Sequence, residues 1–69
     1  MVISDFTAIE LDYFRIACNF VNQEMDVFNM RSKGIPLEQI AEALNMSVEN
    51  VKRISRKVNG KILKVTKGG

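Results

Sequence analysis

What most constrains this chain is how little interrupts its helical pattern. Pro36 is the only proline, and Gly34 and Gly60 are the only glycines before the terminal Gly68 and Gly69. Between these breaks apolar residues recur at spacings of three and four, the period of one helix face, and no alternating run is long enough for a strand. Glycine supplies a left-handed exit from a helix and proline suits the opening of the next, so Gly34, Ile35 and Pro36 end one helix and start another. The pattern predicts an all-α, bundle-like fold of four helices. With 69 residues the chain holds one domain, spanning 1–69.

The first predicted helix covers Asp5 to Cys18, with Phe6, Ile9, Tyr13, Ile16 and Ala17 on its inward face. It belongs to an added N-terminal segment, residues 1–19, placed before a core domain of residues 20–65. The second helix starts after Asn22, an expected N-cap, and runs to about Ser32, burying Met25 and Phe28 with Val27 and Met30. The third is short, 37–44, with Ile40, Ala41 and Leu44 inward. The fourth, 48–64, buries Val51, Ile54, Val58 and Ile62. Residues 66–69 read as a flexible tail.

Composition excludes several function classes. Cys18 is the only cysteine and histidine is absent, so neither a disulfide staple within the chain nor a Cys/His metal site can form. The acidic residues lack the spacing of a cation loop, and no cofactor is expected. No nucleophile is paired with a base, no glycine-rich phosphate loop is present, and Glu38 and Glu42 lie four apart on an ordinary solubilising face. The chain is therefore not expected to be an enzyme. Nothing approaches the roughly 18 apolar residues of a membrane span. A lone thiol in an apolar stretch fits core filling and a reduced, cytoplasmic setting.

Net charge is +2, but it is divided unevenly. Residues 1–30 carry five acidic groups against Arg15 alone, residues 31–69 carry nine basic groups against three acidic ones, and from Val51 onward all seven charged residues are basic. A split of this kind points to a polyanion at one side of the molecule. Basic residues near a helix C-terminus also complement its dipole, so the pattern has to decide.

It does so around Asn45, Met46 and Ser47. These three residues alone separate the third and fourth helices, a connection that forces a steep crossing and makes a helix-turn-helix. Ala41 allows close approach at the crossing, Met46 should point back into the core, and Ser47 can cap the fourth helix. Opposite the Val51, Ile54, Val58 and Ile62 stripe lie Glu49, Lys52, Arg53, Arg56, Lys57, Gly60 and Lys64. This is the face that would enter the major groove of duplex DNA. Near the helix start, Glu49, Asn50 and Arg53 are candidates for base edges: asparagine pairs with adenine, arginine with guanine, and glutamate accepts from cytosine. Ser47, Lys52, Arg56 and Lys57 are candidates for phosphates. The aromatic residues are spent on the predicted core, leaving no stacking platform for single strands.

Residues 20–62 resemble the four-helix DNA-binding domains of LuxR-type response regulators and the related region four of bacterial sigma factors. Phe20, Val21, Asn22, Gln23 and Glu24 stand where that family begins its first helix. Val27, Phe28 and Met30 follow as its apolar triplet, and Gly34 sits at its inter-helix glycine. Glu38 to Ser47 look like its first motif helix and turn, and Val51-Lys52 like the start of its recognition helix. The resemblance implies sequence-specific binding of double-stranded DNA through residues 47–57, as in a small transcriptional regulator. Three departures stand out: Asn50 replaces a usual threonine, Ser55 a usual apolar residue, and no receiver or ligand-sensing domain is present in the 69 residues.

The first 19 residues lie outside the resemblance. Besides the face already given, their helix has a second apolar set, Leu11, Phe14 and Cys18, more than one core contact needs. Either the helix is wrapped in a groove of the small domain, or Leu11, Phe14 and Cys18 are a self-association surface that makes a homodimer, the usual route of such motifs to two half-sites. The rival to DNA binding is a protein-binding module on the same scaffold, of the kind by which small phage proteins inhibit a host polymerase or a defence nuclease. Its partner would sit on the N-terminal half.

Overall fold

The computed structural model describes residues 3–67, and Met1, Val2, Gly68 and Gly69 lie outside the described residues. After a 3-10 turn, Ile3–Asp5, come four helices: α1 (Ala8–Ala17), α2 (Gln23–Ser32), α3 (Leu37–Leu44) and α4 (Val48–Lys67). The fold is all-α, with no strand among the described residues.

Short-range chemistry accounts for most of the boundaries. Thr7 and Glu10 form a capping box: the Thr7 amide donates to the Glu10 carboxylate at 2.9 Å, and the Glu10 amide to the Thr7 hydroxyl at 3.2 Å. It satisfies two of the helix's orphan donors and starts α1 later than its apolar pattern suggests. At the start of α2, Asn22 stands at the cap position with φ 50° and makes no side-chain capping bond. The Val21 amide instead donates to the Glu24 carboxylate, 3.3 Å away. The α2 exit follows the expected route. Gly34 has φ 79°, its amide donates to Arg31 O at 2.9 Å, and that of Ile35 to Met30 O at 3.1 Å, the paired bonds of a Schellman end. Pro36 then precedes the first residue of α3, and its carbonyl accepts from Ile40 at 3.1 Å.

Helix α4 is the spine. Its 20 residues extend for about 30 Å at a rise of about 1.5 Å each, close to the 34 Å length of the molecule. One stripe along it serves two apolar clusters. Toward its C-terminal half, Val58 and Ile62 pack with Ile3, Phe14, Cys18, Phe20 and Phe28. Toward its N-terminal half, Val51 packs with Val27, Ile40 and Ala41, and with the partly buried Met30, Leu44 and Met46. Ile54 touches both clusters and joins them. The expected tail is helical through Lys67.

The orientation of α1 corrects the sequence reading. Phe14 and Cys18 are buried and Leu11 packs against them, whereas Ile9 and Ile16 are 82% and 83% exposed and Tyr13 is 55% exposed. Leu11, Phe14 and Cys18 thus fill the core and are not available for self-association; the exposed stripe is the one expected to be inward. Arg15 helps to decide this. Its Nε donates to Asn29 Oδ1 at 3.0 Å, and its guanidinium lies 5.4 Å from the centre of the Phe28 ring. These contacts pin one flank of α1 to α2 and turn the adjoining face inward, where the Phe6 ring meets Phe14 edge-on at 4.9 Å.

Candidate nucleic-acid interface

The candidate face on α4 is positioned by the way α3 ends. Asn45 takes the left-handed conformation, φ 56° and ψ 49°. Its amide donates to Glu42 O at 3.2 Å and that of Met46 to Ala41 O at 2.9 Å. This repeats the α2 exit, with asparagine in place of glycine. The chain reverses sharply, Met46 turns into the second cluster, and Ser47 is placed to open α4. The Ser47 hydroxyl accepts from the Asn50 amide at 3.2 Å. As an N-cap it holds the first turn of α4 in register, and its own O–H is left to donate outward.

From that cap, α4 presents Glu49, Asn50, Lys52, Arg53, Arg56 and Lys57 to solvent, all exposed. Val51 and Val58 are fully buried beneath them, so rotation of about 100° per residue aims the charged set away from the core. Lys52 makes only a loose ion pair with Glu49, 3.8 Å, at the exposed surface. Arg53, Arg56, Lys57 and Lys64 form no ion pair with a described residue. A row of unneutralised cations on one helix gives this face a positive potential. Lys64 extends this row one turn beyond Gly60, and its place on the basic face was visible in the helical spacing.

Lys61 is diverted to another task. Its ammonium pairs with the Glu24 carboxylate and lies 6.0 Å from the centre of the Phe20 ring, tying α4 to α2. The hydrogen bond from Lys61 holds the Glu24 carboxyl below the usual carboxylate range, against an opposing effect of burial, and the nearby Lys57 charge acts in the same direction as Lys61. Sequence spacing gave no sign of this pairing, because the two residues lie 37 positions apart.

Gly60 stands in the middle of the basic face. A Cβ built there would meet no atom within 4 Å, so packing within the chain does not call for glycine. Among the described residues no group of three or more cysteine, aspartate or glutamate side chains could hold a metal ion, and no helix is long and apolar enough to cross a membrane. Compared with protein-family models, curated proteins and solved structures, the chain matches none.

Proposed function

We propose that this chain binds double-stranded DNA with α4 in the major groove, as a small sequence-specific regulator of transcription working in the cytoplasm. One observation carries the reading: the half of α4 that follows the three-residue turn presents Lys52, Arg53, Arg56 and Lys57 on the side away from the core, three of them without an ion-pair partner among the described residues. Glu49, Asn50 and Arg53, nearest the start of the helix, read base edges. Lys52, Arg56 and Lys57, with the free O–H of Ser47, hold phosphates and set the register. The resemblance to LuxR-type and sigma region-four domains supports the same assignment. The short α3 would lie across the DNA backbone, as the first helix of such a motif does.

The test is fluorescence anisotropy with a mixed-sequence duplex across a salt series. With three to five phosphate contacts the log-log salt slope is expected to lie near −3 to −4.5. An Arg53→Ala/Lys57→Ala variant should bind more weakly, with a slope shallower by about 1 to 2. Absence of binding by the wild type at low salt, or equal binding by the variant, refutes the reading.

A further inference from the structure

Helix α4 continues beyond the residues assigned a role so far. Ser47 to Lys57 hold those roles, but the helix runs on to Lys67 and its basic side runs on through Gly60 to Lys64. Gly60 is out of place there, because glycine is less stable than alanine inside a helix. Two needs within a chain account for such a glycine: a left-handed backbone, or a neighbour too close for a Cβ. Neither applies. The positive φ belongs to Gly34 and not to Gly60, and a Cβ on Gly60 would meet nothing within 4 Å. What glycine does at this position is remove bulk from the outside of the helix. At about 100° per residue Gly60 points within about 20° of Arg53, in the middle of the basic face. Arg56 and Lys57 precede it by one turn and Lys64 follows by one turn, neighbours on a helix surface. All three cations are exposed, and none has an ion-pair partner among the described residues.

We infer that Gly60 is the point at which α4 crosses a DNA strand: a backbone phosphate seats against the bare helix there, and Arg56, Lys57 and Lys64 donate to its oxygens. This second place of contact rests on the DNA-binding reading and extends it by about two turns of α4. Its position follows from lengths. The major groove is about 12 Å wide, whereas 20 helical residues extend for about 30 Å. With Glu49, Asn50 and Arg53 at base edges, the later turns of α4 leave the groove past its sugar–phosphate wall. Gly60 comes about 10 Å beyond Arg53 on the same side of the helix, where that wall is met.

The chemistry suits a phosphate. A larger side chain at position 60 would hold the strand away from the helix, and glycine lets it approach the main chain. Amides in the middle of a helix are already bonded within it, so the three cations, on flexible stems, supply the donors. Glu24, which lies beside Lys57 at the start of α2, is paired with Lys61 and does not compete for Lys57 through an ion pair. A phosphate contact carries no base information. The crossing therefore governs how firmly α4 is held and leaves the choice of sequence to the first turns of the helix.

The experiment measures anisotropy with two duplexes of unrelated mixed sequence, each across a salt series, using the whole chain. Gly60→Leu should weaken binding to both duplexes by the same factor, about tenfold, and make the log-log salt slope shallower by about 1, as loss of one phosphate contact does. Lys64→Ala should act in the same direction. The two changes together should weaken binding little more than Gly60→Leu alone, because a strand held away by leucine leaves Lys64 no phosphate to hold. The thermal midpoint of Gly60→Leu should not fall below that of the wild type, since leucine favours the helix over glycine; this separates lost contact from lost structure. Thr66→Leu, exposed and about 120° round the helix from Gly60, should bind as the wild type does. A wild type that binds while Gly60→Leu binds equally well overturns the crossing and leaves the DNA-binding reading standing. So do losses from Gly60→Leu and Lys64→Ala that simply add. A wild type that binds neither duplex at low salt removes both.

Discussion

Replacing Gly60 by alanine should stabilise the protein, and Gly34 supplies the control. A Cβ at either glycine would meet nothing within 4 Å, so steric room does not distinguish them; backbone geometry does. Gly60 lies inside α4, well away from both helix ends. There alanine is favoured over glycine by about 0.8–1.0 kcal/mol, because the glycine loses more backbone freedom on folding. Gly34 sits at φ 79°, where an L side chain costs roughly 1–2 kcal/mol. For a domain of this size 1 kcal/mol moves the thermal midpoint by about 4–8 °C. Gly60→Ala should therefore raise Tm by about 3–8 °C, and Gly34→Ala should lower it by at least about 4 °C. Thermal melts by circular dichroism measure both, and urea titration should show shifted midpoints with unchanged slope. A neutral or destabilised Gly60→Ala would mean that α4 is not a regular helix at that point, and equal effects at the two sites would refute the conformational account. A stabilised Gly60→Ala that binds DNA more weakly would identify a ligand that approaches the helix backbone there.

Three further outcomes follow from the contacts described. Asn45→Ala should cost about 1 kcal/mol in a melt, since the left-handed turn between α3 and α4 tolerates asparagine far better than alanine, while Asn45→Gly should be neutral or stabilising. Glu24 has its folded carboxyl pKa depressed by Lys61, so its contribution is complete above its ordinary value of 4.5 and is lost as pH falls through the folded value. Glu24→Gln should reduce stability at neutral pH by about 0.5–1.5 kcal/mol, and its stability should decline less steeply below pH 4.5 than that of the wild type. Cys18 is buried, and burial pushes its thiol pKa up against the opposing Lys61 charge. It should react with a thiol reagent only at the rate of local opening, accelerating sharply in denaturant; rapid labelling of the native protein would contradict its place in the core.

The basic face followed from sequence because it needs only one helix and one period. Once Val51, Ile54, Val58 and Ile62 are inward, Lys52, Arg53, Arg56 and Lys57 have one direction left to point. The same holds for the ends of α3: Pro36 ahead of it and Asn45 after it act within a few residues, and the helix lies at the expected 37–44. Ser47 capping the Asn50 amide and Met46 turning inward are equally local. The later start of α1 was also legible, since threonine three residues before glutamate is the capping-box pattern, but apolar periodicity drew the boundary too early.

Where two local solutions are equally good, sequence cannot choose between them. Helix α1 carries two apolar stripes, Ile9-Tyr13-Ile16 and Leu11-Phe14-Cys18, each at helical spacing and of similar hydrophobicity, so periodicity is degenerate. Tertiary contacts break the tie. Arg15 reaches Asn29, fourteen residues on, and Phe6 meets Phe14 within a cluster that α4 completes from the far end of the chain. The Lys61–Glu24 pair is of the same kind, with partners that only packing brings together. Sequence alone determined the helices, the three-residue turn and the charged face, because caps, breakers and periodicity act over a turn or two. Only the tertiary structure decided which side of α1 is buried and which cation on α4 is neutralised, because both depend on contacts between residues far apart in the chain.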